Sequence, residues 1–397
     1  MTRVLQVLGT TGMGGAESRV MDLYRHMDRE KIEFDFLVTR GTKDYYSDEI
    51  RSLGGNVYYL PPFRIYNYFE YISAVKRFFE EHKGQYAAVH GHMTSTACMY
   101  LPIAKKSGVK LTIAHARSAG VDPGIKGILT KVLRHNLYKR CDMLISCSDE
   151  ASVSAFEATL AADGKTYISG DKNVHFMPNA IDTADFAYND DNRIRIREKY
   201  GVGADDILIG HVGSFRYAKN HEWIVNVFAR VNEMINSDDV DVPEHLRKKK
   251  CKLMLVGEGE LRTQIMQLVK EKNLEDSVVF TGNQSPVAPF YHAFDALLFP
   301  SHYEGMPGTV VESQAAGLPT LMSTAITKQC ICTDLVLQMS LDEDDTHWAG
   351  ALLSILDRRK KCQVIETVDG CSLQDTYFDV AQQVRYYVNL YITGKSK

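Results

Sequence analysis

Pro300-Ser301-His302-Tyr303-Glu304-Gly305-Met306-Pro307-Gly308-Thr309-Val310-Val311-Glu312, continued by Ser313-Gln314-Ala315-Ala316-Gly317-Leu318-Pro319, is the stretch on which the fold turns. The apolar run Asp295-Ala296-Leu297-Leu298-Phe299 before it predicts a buried strand that stops at Pro300. Val310 to Ala316 predicts a short helix, closed by Gly317 and Pro319. Between strand and helix lies a turn whose free N–H groups and positive helix end suit a phosphate. Glu304 and Glu312 flank that seat. Two readings of Glu312 stand side by side: a ligand for a bound molecule, or one half of a capping box, Thr309-Val-Val-Glu312, that only closes the helix start.

Working outward, 397 residues exceed one comfortable core and predict two domains of ordinary size. No apolar run reaches the eighteen or so residues that a membrane-spanning helix needs. Val4-Leu5-Gln6-Val7-Leu8-Gly9 is too short for a signal peptide's apolar region, so a cytoplasmic location is expected. The eight cysteines show no C-x-x-C and no histidine cluster at zinc spacing, which predicts small buried thiols in a reducing compartment, without disulfides or structural metal. A net charge of −4 argues against nucleic acid as a partner. The charge is uneven: residues 1–182 carry 23 Lys/Arg against 20 Asp/Glu, and the remainder 23 against 30.

Along the chain, short apolar runs alternate with helical stretches in two series. The first opens with Val4–Leu8 and the turn Gly12-Met13-Gly14-Gly15-Ala16-Glu17 into a helix from about Ser18. Glu17 stands where a dinucleotide fold would want its third glycine, yet the loop lets backbone approach a ligand closely. The series continues through Leu111–Ala114, with His115 and Arg117 directly after it, to Met143–Ser146. The second runs from Ile207–Gly213 through Lys252–Gly257 and Val278–Phe280 to the Leu297 strand. Such alternation predicts parallel sheets covered by helices on both faces, with ligands at the strands' carboxyl ends. Thr183 to Asn192 reads as the linker. The tail from Ser372 carries Leu373, Tyr377, Val380, Val384, Tyr387, Val388 and Tyr391 at helical spacing.

The string of buried strand, Pro-Ser, Glu-Gly-Met-Pro, helix with Glu and Ala-Ala-Gly-Leu-Pro resembles the signature of the family 4 retaining glycosyltransferases, whose EX7E motif matches Glu304 and Glu312. The resemblance implies an α/β fold of the GT-B type: two tandem Rossmann-like doubly wound domains facing across a cleft. They would be an acceptor domain at 1–182 and a donor domain at 183–371, with the helix 372–393 crossing back onto the first. It implies transfer of a hexose or N-acetylhexosamine from a nucleotide diphosphate sugar, UDP above all, to a glycan acceptor with retention of configuration and without cofactor or metal.

By the same resemblance Glu304 would bind the donor sugar, Glu312 the ribose and Lys219 the phosphates, while Gly14 and Gly15 border the diphosphate. Gly213, Gly257, Gly282, Asn283, Gly305, Met306, Pro307, Thr309 and Val310 would line the donor. His115 matches the family's functional histidine, although a lone histidine after a strand is often structural. The family's usual Arg is Ser214 here, and Arg216 is the nearest substitute. The nearest likeness is to capsular and exopolysaccharide enzymes that extend polyprenyl-diphosphate-linked glycans at the inner face of the plasma membrane. The stretch Ile125 to Arg140 reads as a helix with Lys126, Lys131, Arg134, Lys139 and Arg140 as its positive charge, and a solvated basic face and contact with an anionic membrane surface both remain open. The aromatic run Phe63, Tyr66, Tyr68, Phe69 and Tyr71 could lie at the same interface. A nucleotide-sugar epimerase and a non-catalytic nucleotide-sugar-binding subunit are the alternatives.

Overall fold

A computed structural model describes residues 1–12, 14–39, 44–117, 119, 124–237 and 242–395. Met13 of the glycine turn and residues 238–241 lie outside the described residues, as do the side chains of Ile125 and Lys126. The chain divides into two compact units, Met1–Ile181 with Tyr377–Lys397, and Asp182–Thr376.

The first unit holds a nine-stranded sheet of β1 (Thr2–Leu8), β2 (Ile32–Val38), β3 (Val57–Tyr59), β4 (Ala88–Gly91), β5 (Leu111–Ala116), β6 (Met143–Ser146), β7 (Thr159–Leu160), β8 (Tyr167–Ser169) and β9 (Lys172–Phe176). Its order is β3-β2-β1-β4-β5-β6-β9-β8-β7. The central strands are buried along nearly their whole length, β2 at all seven positions, because a parallel sheet carries helices on both faces. On one face, helices Gly15–His26 and Val380–Thr393 close a core of Val20, Leu23, Tyr24, Tyr387, Leu390 and Tyr391 against Val4, Phe34 and Ile113. The terminal helix is anchored where Val380 donates its amide to the Ile181 carbonyl at 2.8 Å and Gln383 donates to the Pro178 carbonyl at 2.6 Å.

The second unit holds β10 (Ile207–Val212), β11 (Cys251–Val256), β12 (Val278–Gly282), β13 (Ala296–Phe299), β14 (Thr320–Ser323) and β15 (Val336–Met339), all parallel, in the order β12-β11-β10-β13-β14-β15. This is the doubly wound 3-2-1-4-5-6 order, and six strands of the first sheet follow it too.

Several details depart from the sequence reading. The tail becomes a regular helix at Val380 rather than Ser372, since Asp379 caps it through the Ala381 amide at 2.8 Å; Leu373–Asp375 is a separate 3-10 turn in the second unit. The polar linker ends in structure, because Asn189 caps a helix Asp190–Lys199 by accepting from the Asn192 amide. The β7-β8-β9 antiparallel ribbon went unread, as its half-exposed strands carry little hydrophobic period. Helix Asp345–Ile355 was missed as well, although it buries Trp348 completely. The basic stretch is not one helix: Ile125–Arg134 stops, Asn136 turns left-handed at φ 54°, and Leu137–Arg140 is a 3-10 turn. Arg134 is buried and donates to Thr94 Oγ1 at 3.1 Å, so it does not belong to the exposed basic face.

Candidate active site

In a doubly wound sheet the crevice opens where the strand order reverses, at the carboxyl ends of the first and fourth strands. In the second unit those strands are β10 and β13, and most of the sequence-predicted donor residues follow them. Three contacts bind the two loops together. The His302 amide donates to the Ala218 carbonyl at 2.8 Å, Asn220 donates to the Pro300 carbonyl at 3.1 Å, and the Tyr217 and His302 rings stack at 4.6 Å. Asn220 accepts a left-handed backbone to do so.

This clasp brings Lys219 to Glu304. Their Nζ and Oε1 atoms are 2.6 Å apart, with side chains only 16% and 17% exposed, and Lys219 also lies 4.6 Å over the Phe299 ring. The contact is an ion pair rather than a well-aimed hydrogen bond, because no directed bond reaches Oε1. The cation of one loop and the carboxylate of the other therefore neutralise one another.

For Glu312 the capping-box reading does not hold. The helix runs Gly308–Ala315 from Pro307, which offers no side-chain cap, and Thr309 Oγ1 donates to the Val212 carbonyl at 3.4 Å. No capping box forms. Glu312 is instead buried within the helix, where Oε2 accepts from the Tyr291 hydroxyl at 2.6 Å. The Val310 amide closes on the Pro307 carbonyl at 3.2 Å, which leaves the amides of Gly308 and Thr309 at the open positive end. Met306, Pro307 and Val310 are buried supports of this turn, while Gly305 is half-buried.

Gly213, Gly257 and Gly282 end three neighbouring strands, and their backbones touch. The Gly213 amide donates to the Val256 carbonyl and the Gly257 amide to the Gly282 carbonyl, each at 3.0 Å. Gly257 has φ 145°, and a Cβ there would lie 2.1 Å from the Gly213 carbonyl oxygen. Its lack of a side chain is thus required by loop packing before any ligand arrives. Asn283 and Arg216 are exposed, and Arg216 makes no ion pair among the described residues. Below the loop, His211 and His221 face each other edge to face at 4.7 Å; burial and the Lys219 charge push His221 down to about 3.

In the first unit Gly14 precedes helix Gly15–His26, with Gly15 opening onto free space. His115 does not follow its strand as expected. β5 continues to Ala116, so His115 is a strand residue, fully buried and in register with Ile145. It belongs to a chain of buried polar groups that sequence reasoning missed. Arg117 Nε donates to His92 Nδ1 at 3.2 Å, and His92 Nε2 meets Gln6 Oε1 at 2.9 Å. Gln6 Nε2 donates to Tyr391 Oη at 3.5 Å, Tyr391 Oη meets His90 Nδ1 at 2.6 Å, and His90 Nε2 meets His115 Nδ1 at 2.9 Å. Arg117 also donates to Asn179 at 3.0 Å. Burial first, and the Arg117 charge with it, holds all three imidazoles well below their ordinary value.

The ring nitrogens of His90, His92 and His115 lie within 4.8 Å of one another, a grouping that could suggest a metal. The geometry fits ligation poorly. The His90 and His115 rings are within 12° of coplanar and point nitrogen to nitrogen, as in a shared proton, and the third imidazole already receives a guanidinium N–H. The only warning in the sequence was His90-Gly-His92 at a strand end.

Comparison with known proteins agrees with this architecture. A model of Glycosyltransferase Family 4 matches residues 13–185, and one of Glycosyl transferases group 1 matches residues 192–366. EpsF of Bacillus subtilis (strain 168), a protein named as a glycosyltransferase, is 30% identical over 401 residues, covering 100% of this chain and 97% of its own. The capsular polysaccharide biosynthesis glycosyltransferase CapH of Staphylococcus aureus is 20% identical over 366 residues, 91% of this chain and 92% of its own. Anabaena HepE, solved in complex with UDP, shares the fold at a TM-score of 0.70 with 14% identity, across 99% of both chains. Two doubly wound parallel sheets of GT-B type, matched by family models in tandem and by a relative along its whole length, identify this chain as a member of the group 1 and family 4 glycosyltransferases.

Proposed function

We propose that the chain transfers a hexose or N-acetylhexosamine from a UDP-sugar to a growing capsular or exopolysaccharide glycan carried on a polyprenyl diphosphate, with retention of configuration and without a divalent metal. The observation that carries this reading is the Lys219–Glu304 pair beside the open start of helix Gly308–Ala315. A diphosphate arriving there exchanges the Glu304 carboxylate for its own oxygens on Lys219 and takes the Gly308 and Thr309 amides. Glu304, released, accepts from the sugar hydroxyls, and Glu312 accepts from the ribose. The bond from the anomeric carbon to the phosphate oxygen breaks as the bond to the acceptor oxygen forms on the same face. The leaving phosphate takes the acceptor's proton. CapH's role in capsule synthesis and HepE's complex with UDP support the donor and pathway class.

Donor-dependent release of UDP, followed with and without lipid-linked acceptor and in the presence of chelator, tests the reading. Acceptor-stimulated release that survives EDTA is expected; release that stops with chelator and returns with magnesium contradicts the metal-free mechanism, and donor turnover to an epimer without acceptor replaces the transferase reading.

A membrane-bound acceptor also calls for docking. Ile128 and Val132 are 65% and 66% exposed on helix Ile125–Arg134, with Lys131, Lys139, Arg140, Lys105 and Lys106 exposed in the same unit. Ile65, Tyr66 and Phe69 are exposed as well. Among the described residues no helix is long and apolar enough to cross a membrane. Liposome binding should rise with anionic lipid content and fall with salt, since surface charge is screened over about 10 Å at 0.1 M. Ile128→Ser with Val132→Ser should weaken it roughly ten- to a hundredfold, from about 0.7–1.5 kcal/mol of lost apolar burial per residue. Equal binding to neutral and anionic vesicles would remove the electrostatic part of this proposal.

A further inference from the structure

The buried chain in the first unit has a direction, and one residue sets it. Arg117 can only donate, so His92 Nδ1 accepts and its single proton sits on Nε2. That proton goes to Gln6 Oε1, which turns the Gln6 amide NH2 toward Tyr391. Tyr391 Oη accepts there and has its own proton left for His90 Nδ1. His90 is then protonated at Nε2 and donates to His115 Nδ1, so His115 carries its proton on Nε2. At that atom the chain ends: Nε2 is buried and has no hydrogen-bond partner among the described residues. A buried N–H without a partner has lost its hydration with nothing in return, a penalty that a bound acceptor removes.

We infer that Arg117, Gln6, His92, Tyr391 and His90 form a polarised relay that holds His115 as a neutral imidazole with its proton on Nε2, a hydrogen-bond donor and not a base. The unpaired Nε2 proton is what His115 has to offer a ligand; the other five act through it as positioning residues. The inference rests on the reading of the chain as a sugar transferase. It assigns a task to Tyr391, which the terminal helix carries back into the first unit, 301 residues along the chain from its partner His90.

The test uses the full chain with 15N-labelled histidine and long-range 1H–15N correlation, which reads the tautomer of each imidazole directly. In the wild type His90, His92 and His115 should all be Nε2–H. Gln6→Glu supplies acceptors on both sides, so Tyr391 should turn its proton to the carboxylate and reverse the lower half of the relay, making His90 and His115 Nδ1–H. The same variant should lose roughly 10²-fold in kcat, the usual effect of one lost donor, with unchanged affinity for free UDP. Because Gln6→Glu buries a charge and can fail to fold, Tyr391→Phe is the second variant: it cuts the relay without adding charge and should leave His90 and His115 as a mixture of tautomers. His115 found as Nδ1–H in the wild type, or as unmixed Nε2–H in Tyr391→Phe, overturns the relay. Wild-type turnover in His115→Ala overturns its role toward substrate. The tautomers are read without turnover, so a wild type inactive on every donor refutes the transferase reading while leaving the relay's direction separately measured.

Discussion

Glu304→Gln should bind free UDP at least as well as the wild type while its turnover falls by roughly 10²–10³-fold. The two effects diverge because Glu304 has two partners at different times. Without ligand it holds Lys219 at 2.6 Å in a largely buried pair, which a diphosphate must break to use the lysine. The amide releases Lys219 in advance, so nucleotide binding loses nothing and can gain. The sugar then lacks a charged acceptor in the transition state, where such contacts count most. The ligand-free variant should also melt lower, since a buried cation has lost its counter-charge, and nucleotide should raise its melting point by more than it raises the wild type's. Lys219→Ala should show the reverse pattern, with UDP affinity falling roughly ten- to a hundredfold for the loss of a charge-assisted bond. Equal nucleotide affinity in Lys219→Ala, or wild-type turnover in Glu304→Gln, would sink the exchange mechanism.

Stability should drop steeply as pH falls below about 6.5, the ordinary histidine value. Five imidazoles, His90, His92, His115, His211 and His221, are held low chiefly by burial, which with the Lys219 charge pushes His221 down to about 3. A folded value below the unfolded one means that the unfolded chain binds more protons in the interval between them, so stability is complete above pH 6.5 and is lost as pH falls toward the folded values. Each histidine of this kind costs roughly 2 kcal/mol at pH 5. Three stand in the first unit and two in the second, so both units lose a sizeable part of an ordinary 5–15 kcal/mol stability. Melting temperature measured from pH 8 to pH 5 should be flat above neutrality and then fall. A flat profile down to pH 5 would show that these imidazoles are not held neutral.

Both predictions depend on contacts of unequal legibility in the sequence. Strand β13 and the turn into helix Gly308–Ala315 could be read directly, because a short apolar run, a proline and a glycine state their backbone preferences locally. The alternation of such segments implied parallel sheets, and the doubly wound order placed the loops after β10 and β13 beside each other. The family resemblance made Glu304 and Lys219 candidate site residues, but their pairing was not legible: it follows from the Asn220 and His302 contacts that clasp two loops about 85 residues apart. Glu312 shows the limit of local reading, since the Thr-x-x-Glu spacing is right for a cap while the helix, entered from Pro307, starts two residues before Thr309 could cap it.

Sequence by itself determined the parallel sheets and the strand–turn–helix around Pro300–Pro319, since these rest on backbone preferences and periodicities that act within about ten residues, while the family came from the resemblance of that string. Only the tertiary structure decided which polar groups share protons. Gln6, His90, His115 and Tyr391 sit on four segments spread across the first unit, and any one of them alone looks like an ordinary buried residue. Hydrogen-bond direction is a property of the closed network and not of its members. The donor-only Arg117 fixes it, and that constraint exists only once the fold has brought the guanidinium within 3.2 Å of His92.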